Sequence, residues 1–449
     1  MSSEEKVLSL KTVIFFTVII CVFALFRFFF VYNPIDSAEG ELAYFGKNTG
    51  TETMYAQNDT KLMPLTAYVY RAAFSFAGEN PEAVRKLGVI YFLLTAALVF
   101  MAARTYFGNV LSLFAVFMYG LYQNTHAGGG LNAYPSYFSQ IFLLLSFLFV
   151  AELEEGFENA DYALSGIFIG AAFLTMAQAV FFIFVPLYFV LKREKSNALK
   201  HLLFLTAGFF AVIIAACIYM IKEGMLAGFG RAIAGQFSFY GTAGIADVLL
   251  VYLFGTAAFV ISIIIFLFKK GKTESFPVLV SGICAIICGL IASIAGEKGP
   301  FLTAVPFLAL SSALLLQCLK LDKDTVKNGI YIFILALIII PAHFYTSGMK
   351  KYIGSAGVTE EKQYDSLNAA EIIKTSGAKS LAVTEGCREI LFLSGIKPAG
   401  RNFYDGDADI KCVERINAEK ETDPKGYGLM AVTKYYMIYG RGVQNEKNK

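Results

Sequence analysis

The chain has 449 residues, of which 56% are hydrophobic and only 16% charged. A water-soluble globular protein carries about a quarter charged residues, so the composition excludes one and points to a membrane protein. A formal net charge of +3, with no basic stripe, gives no footing for nucleic acid. With 43 Phe, 25 Tyr and no Trp, an aromatic belt at the membrane interface would have to be built from Tyr.

A bilayer core of about 30 Å takes roughly 20 apolar residues per helical span. Runs of suitable length are Lys11–Tyr32, Lys86–Arg104, Asn109–Gln123, Tyr134–Ala151, Tyr162–Met176, Ala179–Leu191, Leu199–Ile221, Val248–Phe268, Phe276–Ala295, Phe301–Leu319 and Gly329–Tyr345. The polar N-terminus MSSEEKVLSLK precedes the first run and no small-residue cleavage site follows it, which predicts a retained anchor. The expected fold is an all-α polytopic membrane protein of about 11 transmembrane helices, residues 1–346, followed by a small α/β domain, residues 347–449. With a cytoplasmic N-terminus, the basic loops at Lys192–Lys200, Lys269–Lys272 and Lys320–Lys327 all fall inside. The loop at 33–85, the Lys222–Asp247 loop and the C-terminal domain are then extracytoplasmic, and the localisation is the plasma membrane.

Within the 33–85 loop, Ala38–Gly46 and Leu65–Phe76 are predicted as short helices. In the second, Leu65, Tyr68, Ala72 and Phe76 share one face, which suits a helix lying on the membrane surface or one packed on the helical bundle. In the tail, Glu361–Ser376 and Arg388–Leu393 read as helices, and Ser380–Thr384 and Leu429–Thr433 as strands. This alternation suggests a short parallel sheet. Asp405, Asp407 and Asp409 open like a calcium loop, but Ile410 and Ile416 stand where Gly and Glu are needed. Five of the seven cysteines lie in apolar runs as small hydrophobes. Cys387 and Cys412 lie in the tail, where an oxidising compartment would permit pairing.

Three carboxylates, Asp36, Glu39 and Glu41, follow the first span at the water–lipid boundary. Such acids would suit the first turn of a helix beginning near Ala38, where negative charge is favoured. They would also suit proton transfer to a substrate whose tail lies in the bilayer and whose head group lies in water. Partial desolvation and neighbouring acids raise such a carboxylate's pKa toward a useful range.

The layout resembles the GT-C superfamily of integral-membrane glycosyltransferases, particularly the protein-mannosyltransferase and aminoarabinose-transferase-like branch. The resemblance rests on DSAEGELAYF (Asp36 to Phe45), DTKLMPLTAYVY (Asp59 to Tyr70), NPEAVRKLG (Asn80 to Gly88) and GEKGPFLTAVPFLAL (Gly296 to Leu310). The turn GGGLNAYPS (Gly128 to Ser136) resembles a further extracytoplasmic loop of the family, with Asn132 in its polar position. The sequence departs from the family in two places: Ala38-Glu39 replaces an adjacent Asp-Glu pair, and Met63-Pro64 a double Pro.

The resemblance implies transfer of a sugar, a hexose, from a polyprenyl-phosphate donor to an extracytoplasmic acceptor (protein, lipid or cell-envelope glycan). Glu39 best overlays the family's acid, with Asp36 and Glu41 as the other candidates. Lys298 would hold the leaving phosphate, and Lys61, Asp59, Arg71, Asn132, Arg231 and His126 are further substrate-binding candidates. No cofactor is implied, and a divalent metal stays open. The rival readings are a flippase for lipid-linked glycans, and an O-antigen polymerase or ligase. A flippase should carry charged residues within its spans and paired repeats; neither is conspicuous here. The main loop of a polymerase or ligase should fall late in the chain.

Overall fold

Apolar runs that meet no water must satisfy their backbone internally, so they become helices. The computed structural model describes residues 9–28, 31, 35, 37–49, 55, 60–124, 132–152, 158–193, 197–238, 256–257, 259–264, 276–294, 299–319, 364–384, 387–398, 408–415 and 427–441. The expected span Gly329–Tyr345 lies outside them, as does most of Val248–Phe268. The helices are α1 Leu10–Phe28, α2 Ser37–Asn48, α3 Pro64–Ala77, α4 Pro81–Tyr106, α5 Asn109–Gln123, α6 Pro135–Ala151 and α7 Glu158–Thr175. They continue as α8 Phe184–Arg193, α9 Ala198–Lys222, α10 Leu226–Gln236, α11 Phe276–Ile294 and α12 Val305–Leu319. Short 3-10 stretches, Ala177–Ile183 and Pro300–Ala304, lead into α8 and α12.

The chain is mostly helical, and five helices among the described residues are long and apolar enough to cross a membrane: Leu10–Phe28, Pro81–Tyr106, Ala198–Lys222, Phe276–Ile294 and Phe301–Cys318. Three further apolar helices, Asn109–Gln123, Pro135–Ala151 and Ala177–Lys192, are shorter.

The chain divides into two compact units that do not follow its linear order. The first comprises Met1–Val31, Arg85–Tyr219 and Ile233–Phe344; the second comprises Tyr32–Val84, Met220–Ala232 and Tyr345–Lys449. The acidic loop and the tail, separate pieces in the sequence, thus share the second unit.

In the first unit, small residues let helices touch. A Cβ on Gly166 would lie 2.1 Å from the Leu205 carbonyl oxygen, and one on Gly208 would lie 2.0 Å from that of Ala163. The α7–α9 crossing therefore tolerates no side chain at either position. Buried polar groups bond between helices: Ser146 to Ser165 at 2.8 Å joins α6 to α7, and Tyr122 to Ser312 at 3.1 Å joins α5 to α12. The Gln140 amide donates to Gln123 Oε1 at 2.9 Å and to the Leu302 carbonyl, and its Oε1 accepts from the Tyr119 hydroxyl at 3.2 Å.

In the second unit, Pro64 starts α3, where its missing N–H costs nothing, and Gly78 (φ 83°) follows its end. The buried face of α3 is Ala67, Tyr70, Ala73 and Phe74. The expected apolar stripe turns the other way: Leu65 and Tyr68 are half-buried, Ala72 is exposed, and Phe76 is 91% exposed.

The tail forms helix α13 (364–375), strand β1 Ser380–Val383, helix α14 Arg388–Ser394, and strands β2 Lys397–Pro398, β3 Ile410–Glu414, β4 Tyr427–Val432 and β5 Tyr436–Arg441. The sheet order is β2-β1-β3-β5-β4. Pairing is parallel across β2-β1-β3, with Leu381 opposite Ile410 and Val383 opposite Cys412, and antiparallel across β3-β5-β4. The expected parallel sheet is therefore mixed, because β4 and β5 are joined by a tight turn at Thr433–Tyr435 that returns the chain beside itself. Cys387 and Cys412 are buried free thiols. Burial pushes the Cys387 thiol well up, with the Cys412 thiol against it.

Candidate functional site

The acidic helix α2 carries two of the three expected acids. Glu39 is fully buried and Glu41 is 7% exposed; Asp36 lies outside the described residues. At 100° per residue, positions two apart fall on opposite faces of a helix, so Glu39 and Glu41 cannot face one partner. Glu41 Oε2 accepts from the Arg388 guanidinium, which opens α14, and Glu41 Oε1 accepts from the Thr60 hydroxyl at 3.3 Å. Thr60 Oγ1 also accepts from the Leu62 backbone N–H at 3.1 Å. The acidic and DTK segments singled out by the resemblance therefore meet at Glu41.

Neighbouring candidates are placed as follows. Lys61 is half-buried just before α3, and Asp59 lies outside the described residues. Arg71 is exposed on α3 and donates to the Thr49 carbonyl oxygen. Arg231 is exposed on α10, whose Gly228 admits Tyr55 so closely that a Cβ there would be 2.4 Å from that of Tyr55. Among the described residues, no three His, Cys, Asp or Glu side chains gather as metal ligands.

The first unit carries its own polar cluster at one end of α1, α4, α5 and α6. Arg27, 3% exposed, donates to Asn124 Oδ1 at 3.2 Å and lies over the rings of Phe92 and Tyr137, 5.4 and 5.2 Å from their centroids. One turn from Gly88 on α4, Arg85 donates to Asn132 Oδ1 at 3.3 Å, and Asn132 donates to the Tyr134 hydroxyl at 2.6 Å. Ser136 donates to the Gly299 carbonyl at 2.7 Å. Ser136 and Gly299, from two segments picked out separately in the sequence, are thus brought together. Lys298 and His126 lie outside the described residues.

Sequence reasoning passed over Arg27 and Arg388, and took Arg85 only as part of the stretch NPEAVRKLG. Arg27 had a readable signal, being the only charge in α1 after Lys11, and an intramembrane ionisable residue marks function or a buried partner. Arg388 had none, since 347 positions separate it from Glu41.

The model of the dolichyl-phosphate-mannose-protein mannosyltransferase family matches residues 61–220. No curated protein matches the chain in sequence. ArnT from Cupriavidus metallidurans, bound to undecaprenyl phosphate, superposes with a TM-score of 0.67 at 12% identity, over 96% of this chain and 99% of that one. The same protein in its apo state gives 0.64 at 13% identity, over 95% and 99%. The archaeal oligosaccharyltransferase AglB from Archaeoglobus fulgidus, in complex with an inhibitory peptide and a dolichol-phosphate, gives 0.57 at 11% identity, over 92% and 70%. The chain is an integral membrane protein that shares its fold with ArnT and AglB. The family match begins at Lys61, after the acidic helix, and ends before Lys298.

Proposed function

We propose that the protein is a membrane glycosyltransferase that moves a hexose from a polyprenyl-phosphate donor to a hydroxyl of an extracytoplasmic acceptor, with Glu39 as general base. The observation that carries this reading is the division of α2. Glu41 is held by Arg388 and Thr60, and Glu39 is fully buried on the opposite face of the same helix. The fold and the family match support a lipid-phosphate donor, since the similar structures hold undecaprenyl phosphate or dolichol-phosphate.

In the proposed reaction, Glu39 takes the acceptor hydroxyl's proton as its oxygen attacks the anomeric carbon from the face opposite the phosphate. The bond from that carbon to the phosphate oxygen breaks, the phosphate leaves with the electron pair, and the anomeric configuration inverts. Charge developing on the phosphate calls for fixed cations, for which Lys298 and Lys61 are the primary candidates. Arg71, Arg231, Asp59, Asn132 and His126 complete the proposed substrate contacts.

The test incubates membranes containing the protein with a polyprenyl-phosphate hexose labelled in the sugar. Label should leave the lipid with wild type and stay on it with Glu39→Gln, while expression is unchanged. Label that crosses the bilayer still attached to lipid identifies a flippase and removes the enzyme reading.

A further inference from the structure

The contact between α2 and α14 is built more closely than an ordinary packing of helices. A Cβ on Gly40 would lie 2.4 Å from the Glu389 Cα and 2.7 Å from its backbone nitrogen, so the two backbones touch at that point. Gly40 stands between Glu39 and Glu41, and Glu389 follows Arg388. The ion pair and the backbone contact therefore grip adjacent positions of both helices.

The α14 side of this clasp is fixed by further neighbours in the second unit. Glu389, 4% exposed, accepts from the Tyr436 hydroxyl of β5 at 2.7 Å, and Tyr436 shares a 2.7 Å hydrogen bond with Ser366 of α13. Phe392 stacks on Phe74 of α3 with centroids 5.5 Å apart and planes 15° apart. The Arg388 and Glu41 side chains are 22% and 9% exposed, so solvent screens the pair weakly.

We propose that Arg388 is a positioning residue for the transfer reaction. By holding Glu41, it sets the rotation of α2 about its axis and so the direction in which Glu39 points. The inference rests on the reading of Glu39 as base. The physical reason is angular: α2 is seated at Gly40 against α14 and at Gly46 against Tyr70 of α3, and an ion pair at Glu41 resists a roll about those seats. Reacting groups displaced by about 1 Å lose on the order of a hundredfold in rate. The tail thus becomes part of the apparatus that aims the base.

The test uses the full-length protein in lipid nanodiscs with the labelled polyprenyl-phosphate hexose and native membrane acceptors. Wild type is compared with Arg388→Ala, Arg388→Lys and the exchanged pair Glu41→Arg/Arg388→Glu. Arg388→Ala should lower kcat by on the order of ten- to a hundredfold and leave KM for the donor unchanged. Arg388→Lys and the exchanged pair should each recover part of that loss. Hydrogen exchange of the amides of residues 37–48 should quicken in Arg388→Ala and return toward wild type in Arg388→Lys. Full kcat in Arg388→Ala overturns the inference; so does a loss that merely tracks the fraction of unfolded protein. A wild type that releases no label refutes the transfer reading instead, and hydrogen exchange then still decides whether Arg388 fixes α2.

Discussion

Arg27, in the last turn of α1, donates to the side-chain oxygen of Asn124 at the end of α5, 97 residues away and 3.2 Å distant. The Asn124 amide in turn donates to the Gly120 carbonyl at 2.7 Å. A Cβ on Gly120 would lie 2.3 Å from the Phe23 ring, so α1 and α5 are joined by close packing one turn below the polar bond. An Arg plane can stack on rings and bond along its edge at once, which a Lys ammonium cannot.

Arg27→Ala should therefore destabilise the purified protein by about 2 kcal/mol, combining a lost buried hydrogen bond with lost cation–π contacts. Arg27→Lys should recover less than half of that loss. Thermal unfolding in a fixed detergent measures both; equal melting temperatures for wild type and Arg27→Ala contradict the assignment.

Tyr436 makes a second prediction. Burial and the neighbouring Glu389 carboxylate push its phenol far above the ordinary tyrosine range. In the native protein Tyr436 should stay protonated while exposed tyrosines ionise near pH 10, which ultraviolet titration of wild type against Tyr436→Phe resolves. Tyr436→Phe leaves a buried Glu389 oxygen without this donor and should cost about 1–3 kcal/mol, read as faster hydrogen exchange in β3 and β5.

Asp409 carries a pH dependence. Its carboxylate accepts from the Lys379 and Ser380 backbone N–H groups at 2.9 and 3.1 Å, and the Ser380 hydroxyl accepts from the Asp409 N–H at 2.9 Å. The Lys379 backbone bond, then the Ser380 hydroxyl, hold its carboxyl below the usual range. The folded pKa is thus below the unfolded one, near about 3.9. The stabilisation is full above that unfolded value and is lost as pH falls through the folded one. Asp409→Asn should be less stable than wild type at neutral pH, and the gap should close in acid. Because the group is exposed, added salt should narrow the gap as well.

Much of the site's framework could be read from the chain, because local signals fixed it. The helix expected over Ala38–Gly46 runs Ser37–Asn48, and the one expected over Leu65–Phe76 runs Pro64–Ala77, with Pro64 and Gly78 marking its ends. The packed face of α3 was not readable. Both of its faces carry large apolar side chains, and only the neighbours Phe392 and α2 decide between Phe74 and Phe76. The strand Ile410–Glu414 escaped notice because Lys411 and Glu414 interrupt its apolar residues. In the structure Asp409, just before this strand, accepts from the backbone that leads into β1. The partner of Glu41 could not be foreseen, since no local rule relates a residue of the first loop to one near the end of the chain.

The second unit is drawn from residues 32–84, 220–232 and 345–449, and this has a consequence for biosynthesis. Domains generally fold as synthesis proceeds, N-terminal parts first, but α2 emerges with its Gly40 seat empty and waits for more than three hundred further residues before α14 can fill it. Until then α2 can pack on α3 through Gly46 and Tyr70 but lacks its hold on Arg388 and Glu389. A ribosome that stops short of Arg388 would leave a chain already threaded into the bilayer whose helix α2 lacks the partner for Glu41.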